Sequence, residues 1–225
     1  MHLWRFALTS ASPAALWGSL DHGERERARR FVSARERERF VVRRGRLRRI
    51  LGGYLDTSPG ELRFVHGPWG KPLLADAPEV CFSLAHSGSL ALLAVATGIP
   101  VGVDVERFRP IPDAARCAAR FFVPGEAVAL SRSRSPSPLT ERWFTECWAR
   151  KEAYLKGTGR GLTAGLDTFE VSVPPAPPRI VWSREPEGAR WSLVRLPPVP
   201  GCAAALAWRC LRTQVLWSGS YSGAP

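Results

Sequence analysis

The sequence predicts an α+β fold of two similar α/β lobes in one chain, with mostly antiparallel sheets. Two observations carry this expectation. Each half of the 225 residues runs through helical segments first and strand-like segments afterwards. The strand-like runs are short and grouped between turn residues, whereas a doubly wound parallel sheet alternates single strands with helices. Hydrophobic residues make up 45% and charged residues 23%, enough apolar material for a real core and too little charge bias for wholesale disorder. The character of the chain changes after Glu106, and the chain divides into an N-terminal lobe 1–103 and a C-terminal lobe 104–225.

Residues 2–8 (HLWRFAL) form a first strand. From 21 to 56, Phe31, Val32, Phe40, Val41, Leu47, Ile50, Leu51 and Tyr54 are spaced as on one or two amphipathic helices, and the alternating Glu and Arg read as their solvated face. Ser58-Pro59-Gly60 breaks that pattern, Leu62 to His66 reads as a strand, and Gly67 to Pro72 is dense in turn residues. Three runs, 79–84, 90–97 and 101–106, follow as a meander. Helices are expected at 112–122 and 139–158, with SRSRSPSPL (131–139) as an exposed polar loop between them. Strands then come at 167–173, 179–183, 190–196 and 202–217, the last as a hairpin, with the Pro-rich link 174–178 among them.

The formal net charge is +12 and the pI about 10.6, and only Lys71, Lys151 and Lys156 of the 32 basic residues are lysines. Such a balance points to an anionic partner: nucleic acid, a polyphosphate or an acidic protein surface. Five cysteines rule out a full set of intrachain disulfides, and none forms a C-x-x-C pair, so reduced, mostly buried thiols of a cytoplasmic protein are expected. The first residues are broken by Thr, Ser and Pro and make a poor signal peptide. No stretch reaches the ~18–20 apolar residues of a membrane span, since Gly98, Pro100 and Gly102 interrupt the closest one. No membrane partner is expected.

Four segments could carry chemistry. In Val101-Gly102-Val103-Asp104-Val105-Glu106, residues two apart share a face, so Asp104 and Glu106 are neighbours while Val103 and Val105 face the core. Two adjacent carboxylates suit a hard divalent cation with oxygen ligands; they equally suit a strand end entering solvent. In FTECWARKEAYLK, Phe144, Trp148 and Leu155 follow a core stripe, while Glu152 and Lys156 lie one turn apart on another face. That pair is either a surface ion pair or a third carboxylate with a phosphate-meeting cation. His86, followed by Ser87 and Gly88 at a strand end, is either a turn histidine or part of an anion site. Lys71, between Gly70 and Pro72, is either solvated or a phosphate contact.

Taken in order, GKP, SLAHSG, VGVDVE and WARKEAYLK resemble the large, surfactin-synthetase-activating type of 4′-phosphopantetheinyl transferase, from about residue 24 to 173. The most specific piece is VGVDVE paired with W-x-x-K-E-A-x-x-K, filled here by Trp148, Lys151, Glu152, Ala153 and Lys156. The resemblance implies two fused lobes in a monomer, with the active site in the cleft between them. It implies transfer of the phosphopantetheine arm of coenzyme A, the co-substrate, to a serine of an apo acyl or peptidyl carrier protein, releasing adenosine 3′,5′-bisphosphate with Mg²⁺ as cofactor. Carried over, Asp104, Glu106 and Glu152 resemble the metal ligands, Glu152 also the general base, and Lys156 a cation for the phosphate or leaving group. Lys71, His86 and Ser87 resemble coenzyme A phosphate contacts, Arg39 falls near the family's 3′-phosphate contact, and Arg27 and Arg48 lie in the same region. Where the family often has Ser-His-Ser, this chain has Ala85-His86-Ser87 and lacks one hydroxyl. Carrier proteins and coenzyme A are acidic, which fits the basic charge. A basic nucleic-acid-binding protein and a Mg²⁺-dependent phosphohydrolase are the alternatives. The first lacks any helix-turn-helix or RNA-recognition signature here, so no nucleic acid is expected as a partner.

Overall fold

The computed structural model describes residues 1–9, 11–131, 138–161, 164–185, 188–197, 199–210 and 218–221. Strand β1 (His2–Ala7) is followed by helices α1 (Pro13–Trp17), α2 (His22–Arg29) and α3 (Ala34–Leu55). A small hairpin, β2 (Phe64–His66) and β3 (Pro72–Leu74), leads to the longer hairpin β4 (Val80–Ser87) and β5 (Leu90–Thr97). Then come β6 (Val101–Arg107), helices α4 (Ala114–Phe121), α5 (Pro124–Ser131) and α6 (Pro138–Thr158), and the hairpin β7 (Phe169–Val171) and β8 (Ile180–Ser183). Strands β9 (Trp191–Arg195), β10 (Cys202–Arg209) and β11 (Ser218–Tyr221) complete the described chain.

Local chemistry sets the helix starts. Asp21 caps α2 with a capping box: its carboxylate accepts from Glu24 N at 2.8 Å, and Asp21 N donates to Glu24 Oε2 at 3.3 Å. Ser33 Oγ caps α3, accepting from Glu36 N. The inner face of α3 buries Phe40, Val41, Leu47 and Leu51, the periodic apolar positions of the sequence.

The two main sheets repeat one plan. In the first, the order β1-β5-β4 places the opening strand against the second strand of the hairpin that follows α3. In the second, the order β6-β10-β9 does the same with α6 and the β9–β10 hairpin. Even the strand exits match: Leu8 N donates to Ser89 O at 2.6 Å, and Phe108 N to Gly201 O at 2.8 Å. The α+β fold with antiparallel pairing is as the sequence predicts. The exception is β11, which lies parallel to β1.

Several sequence expectations are corrected. Residues 101–106 do not extend a meander, because β6 leaves the β4–β5 hairpin to pair with β10. Residues 202–217 are not a hairpin: β10 ends at Arg209, 211–217 lie outside the described residues, and β11 joins the first sheet. Helices α1 and α5 open on Pro13 and Pro124, residues that read as breakers yet suit a first helical turn. Strand β3 hides in the turn-rich GKPLL, pairing only with β2. Of the expected polar loop 131–139, Ser131 and residues 138 and 139 are helical, and 132–137 lie outside the described residues. Only Cys147 of the five thiols is buried, and Cys210 is exposed. No helix among the described residues is long and apolar enough to cross a membrane.

The contact that positions everything else lies between α6 and β6. A Cβ at Gly102 would run into the Ala153 carbonyl oxygen and the Gly157 amide nitrogen of α6. A Cβ at Gly157 would strike the Trp191 ring. Helix and strand therefore touch backbone to backbone. Gly102→Ala must push them apart, so we expect a loss of about 1–3 kcal/mol or more, read as a lowered melting temperature. An unchanged melt would mean that the two elements are not held at this spacing.

Candidate active site

The backbone contact at Gly102 and Gly157 sets Asp104 beneath the last turns of α6. The sequence leaves open whether the Asp104 face of β6 meets solvent; it does not, since residues 101–105 are buried on both faces. The valines pack towards Ala85, Leu92 and Ala94 of the first sheet, and Asp104, only 2% exposed, faces the helix. Lys156 Nζ donates to Asp104 Oδ1 at 2.6 Å. Asp104 Oδ2 is buried and has no hydrogen-bond partner. Burial pushes the Asp104 carboxyl up to about 7, with Glu106 and Glu152 adding to the rise and Lys156 opposing it. Glu152 is also raised, by burial first and by Glu106, again against Lys156. Three carboxylates from β6 and α6 thus share one field with a single lysine.

The other wall comes from the N-terminal half. Ser87 Oγ donates to Glu106 Oε2 at 3.1 Å and accepts from Arg107 N at 3.1 Å, tying the end of β4 to β6. His86 Nε2 meets Arg43 Nη1. Burial, then the charges of Arg43 and Lys156, hold His86 down at about 4, so it is neutral near pH 7. Arg39 binds Glu36 at 2.8 Å, while its Nε is buried without a partner. Arg43 is the wall residue that the sequence reading missed; its position one turn after Arg39 was the available signal.

The remaining candidates separate. Lys71 Nζ donates to Val101 O at 3.0 Å and Gly157 O at 2.9 Å, stapling the β2–β3 turn across the start of β6 and the end of α6. Burial lowers its ammonium to about 8. One of its three donors remains free of these carbonyls, and it lines, with Arg44, Trp69 and Lys156, a cavity of about 290 Å³ between the halves. Arg48 is no ligand contact. It is fully buried, and its guanidinium bonds Glu24 Oε2 at 2.5 Å, the Pro59 and Leu62 carbonyls at 2.9 Å, and Asp21. Arg27 lies over the Phe40 ring at 5.3 Å. Trp148 is half-buried, stacked on Phe144 with centroids 6.0 Å apart, rather than a fully buried core residue.

Lys151, inside the W-x-x-K-E-A motif, is structural. It is 0% exposed and binds Glu126 Oε2, Leu166 O and Phe169 O, each at 2.7 Å. Glu126 in turn accepts from Val171 N and Val123 N. The lysine thereby locks the outer side of α6 while Glu152, the next residue, faces β6. Glu126 gave no sequence signal, because its partner stands on a different element.

The donor set of Asp104, Glu106 and Glu152 fits a hard divalent cation, and the orphaned, buried Oδ2 of Asp104 is the observation in favour. With Lys156 seated on Oδ1, no three His, Cys, Asp or Glu side chains among the described residues stand ready to hold a metal.

The 4′-phosphopantetheinyl transferase superfamily profile matches residues 100–207, the segment that carries β6 and α6. The 4′-phosphopantetheinyl transferase HetI of Nostoc sp. is 39% identical over 212 residues, covering 92% of this chain and 86% of that protein. The 4′-phosphopantetheinyl transferase Sfp of Bacillus subtilis is 30% identical over 148 residues, 66% of this chain and 64% of that one. A solved structure, Thermotoga maritima holo-[acyl-carrier-protein] synthase, aligns over 49% of this chain and 62% of that chain with a TM-score of 0.40 and 19% identity. A buried carboxylate cluster opposed by a cationic wall suits an enzyme that acts on an anionic substrate. The chain belongs to the 4′-phosphopantetheinyl transferase superfamily.

Two outcomes follow from this geometry. Asp104 has a folded pKa of about 7, above the roughly 3.9 of an unfolded aspartate. Between those values the folded state binds more protons, so the contribution of Asp104 to stability falls as pH rises from 4 to 7 and is level above. Melting the metal-free protein across that range should show this decline, and Asp104→Asn should flatten it. Lys151→Met strands the Glu126 carboxylate and should cost about 3–5 kcal/mol; adding Glu126→Gln should restore part of it, as measured by denaturant unfolding.

Proposed function

We propose that this transferase moves the 4′-phosphopantetheine arm of coenzyme A to a serine hydroxyl of an apo acyl or peptidyl carrier protein and releases adenosine 3′,5′-bisphosphate. The observation that carries the reading is the buried Asp104 carboxylate, one oxygen on Lys156 and the other without a partner, flanked by Glu106 and Glu152. Bound there, Mg²⁺ would neutralise charge on the pyrophosphate oxygens, with Asp104, Glu106 and Glu152 as its protein ligands. Glu152, its carboxyl raised above the ordinary carboxylate value by burial, accepts the serine proton, directly or through water. The serine oxygen then forms the new P–O bond as the bond to the adenosine bisphosphate breaks. Lys156 holds negative charge on the phosphate or on the departing bisphosphate.

The N-terminal lobe supplies the coenzyme A phosphate contacts in this proposal: neutral His86 beside Arg43, Ser87, Arg39 and the spare donor of Lys71. The C-terminal lobe supplies the metal ligands and α6. The strand plan occurs twice within one chain, which supports an enzyme acting as a monomer.

The test incubates the protein with coenzyme A, Mg²⁺ and an apo carrier protein and weighs the carrier. Transfer adds about 340 Da by in-line phosphoryl chemistry. Glu152→Gln should lower kcat by roughly 10²–10⁴, and Asp104→Asn should abolish the Mg²⁺ dependence while the fold persists by circular dichroism. Wild-type rates in both variants would remove these carboxylates from the mechanism. Release of free phosphate without a mass gain would favour a phosphohydrolase.

A further inference from the structure

The repeat of the two sheets maps one half of the cleft onto a second place in the molecule. In the first repeat, the second and third turns of α3 form the cationic wall through Arg39 and Arg43, with neutral His86 at the end of β4 beside them. The counterparts in the second repeat are the end of β9 and the second to fourth turns of α6, as the shared strand order and the matching bonds from Leu8 and Phe108 show. Those counterparts again carry arginines: Arg195 on β9, and Arg142 and Arg150 on α6. Here they face a cavity of about 460 Å³ instead of another lobe. A second cavity of about 450 Å³ adjoins it and shares all three arginines.

The charge in this cavity is not balanced. Arg142 pairs with Glu146 at 3.2 Å, the one acidic residue of the lining. Arg150 is 4% exposed, and its guanidinium is held only by neutral groups, Ser172 and the Ala176 carbonyl. Arg195 has no carboxylate partner among the described residues. Burial lowers the pKa of Arg150, and the Arg195 charge adds to this against the opposing charges of Cys147 and Glu146. Three arginines thus line a space to which the described residues bring one carboxylate, that of Glu146, which leaves an excess of positive charge, part of it buried. The remaining walls are apolar: Phe108, Leu196, Pro197, Val199 and Pro200. The volume lies within the roughly 300–1,000 Å³ of small-molecule sites and is too small for a macromolecular surface.

We propose that this cavity is a second anion site that binds a small organic phosphate, the phosphate on Arg142, Arg150 and Arg195 and the organic part against the proline-rich wall. Arginine forks match phosphate oxygens two at a time, which suits a phosphate better than a simple halide. The site is separate from the transfer cleft: Glu152 and Lys156 lie on later turns of α6 and face β6.

Titration calorimetry of the full chain with adenosine 5′-diphosphate, and separately with inorganic phosphate, tests this. Arg142→Ala/Arg195→Ala should weaken one class of adenosine diphosphate sites at least tenfold, and Arg43→Ala, on the cleft, should leave that class intact. Arg195→Ala alone, which removes no hydrogen bond among the described residues, should give a smaller loss in the same class, and melting curves show that each variant is folded. Adenosine diphosphate should bind at least tenfold tighter than inorganic phosphate. A double variant that titrates like the wild type, or binding lost only with Arg43→Ala, would overturn the proposal. Equal affinity for the two probes would overturn the role given to the apolar wall.

Discussion

Everything in the site depends on one close packing contact, that of α6 on β6 at Gly102 and Gly157. Neither position has room for a side chain, so strand and helix backbones meet directly. At that spacing the Lys156 ammonium meets a carboxylate on the middle of a strand at 2.6 Å. Close approach also seals Asp104 from water, and sealing raises its pKa. The geometry of packing thus sets the protonation chemistry of the site.

Two further devices hold that contact in place from outside. Lys71 bridges the carbonyls of Val101 and Gly157, one on each partner of the contact, from a turn of the N-terminal half. Lys151 and Glu126 form a buried pair on the opposite side of α6 and anchor the loop before β7. Buried ion pairs add little net stability but fix geometry when both partners are hydrogen-bonded, as Lys151 and Glu126 are here. The motif lysines therefore divide their work: Lys151 orients the helix, and Lys156 meets the carboxylate.

The repeat explains how a cleft arises within one chain. Each lobe places a strand end and the early turns of its long helix on one side, and its opening strand with the last turns of its helix on the other. The cationic side of the first lobe meets the acidic side of the second at the cleft. The cationic side of the second lobe is left facing a cavity, which accounts for arginines that the cleft does not use. Part of the net charge of +12 therefore resides away from the transfer site.

Periodicity determined α6 within a residue and marked 21–56 as helical without separating α2 from α3, and alternation with turn residues determined β4, β5 and β6. The motif spacing also singled out Asp104, Glu106, Glu152 and Lys156, and the fold brings their charges into one field. What the sequence did not determine was partnership across distance. It could not show that β6 pairs with β10, that β11 returns to β1, or that Arg48 and Lys151 are buried in structural ion pairs while Arg43 faces the cleft. All four are long-range choices in which residue type is the same either way. Only the packing of one element on another decides whether an arginine or lysine meets a carboxylate in the core or an anion at the surface.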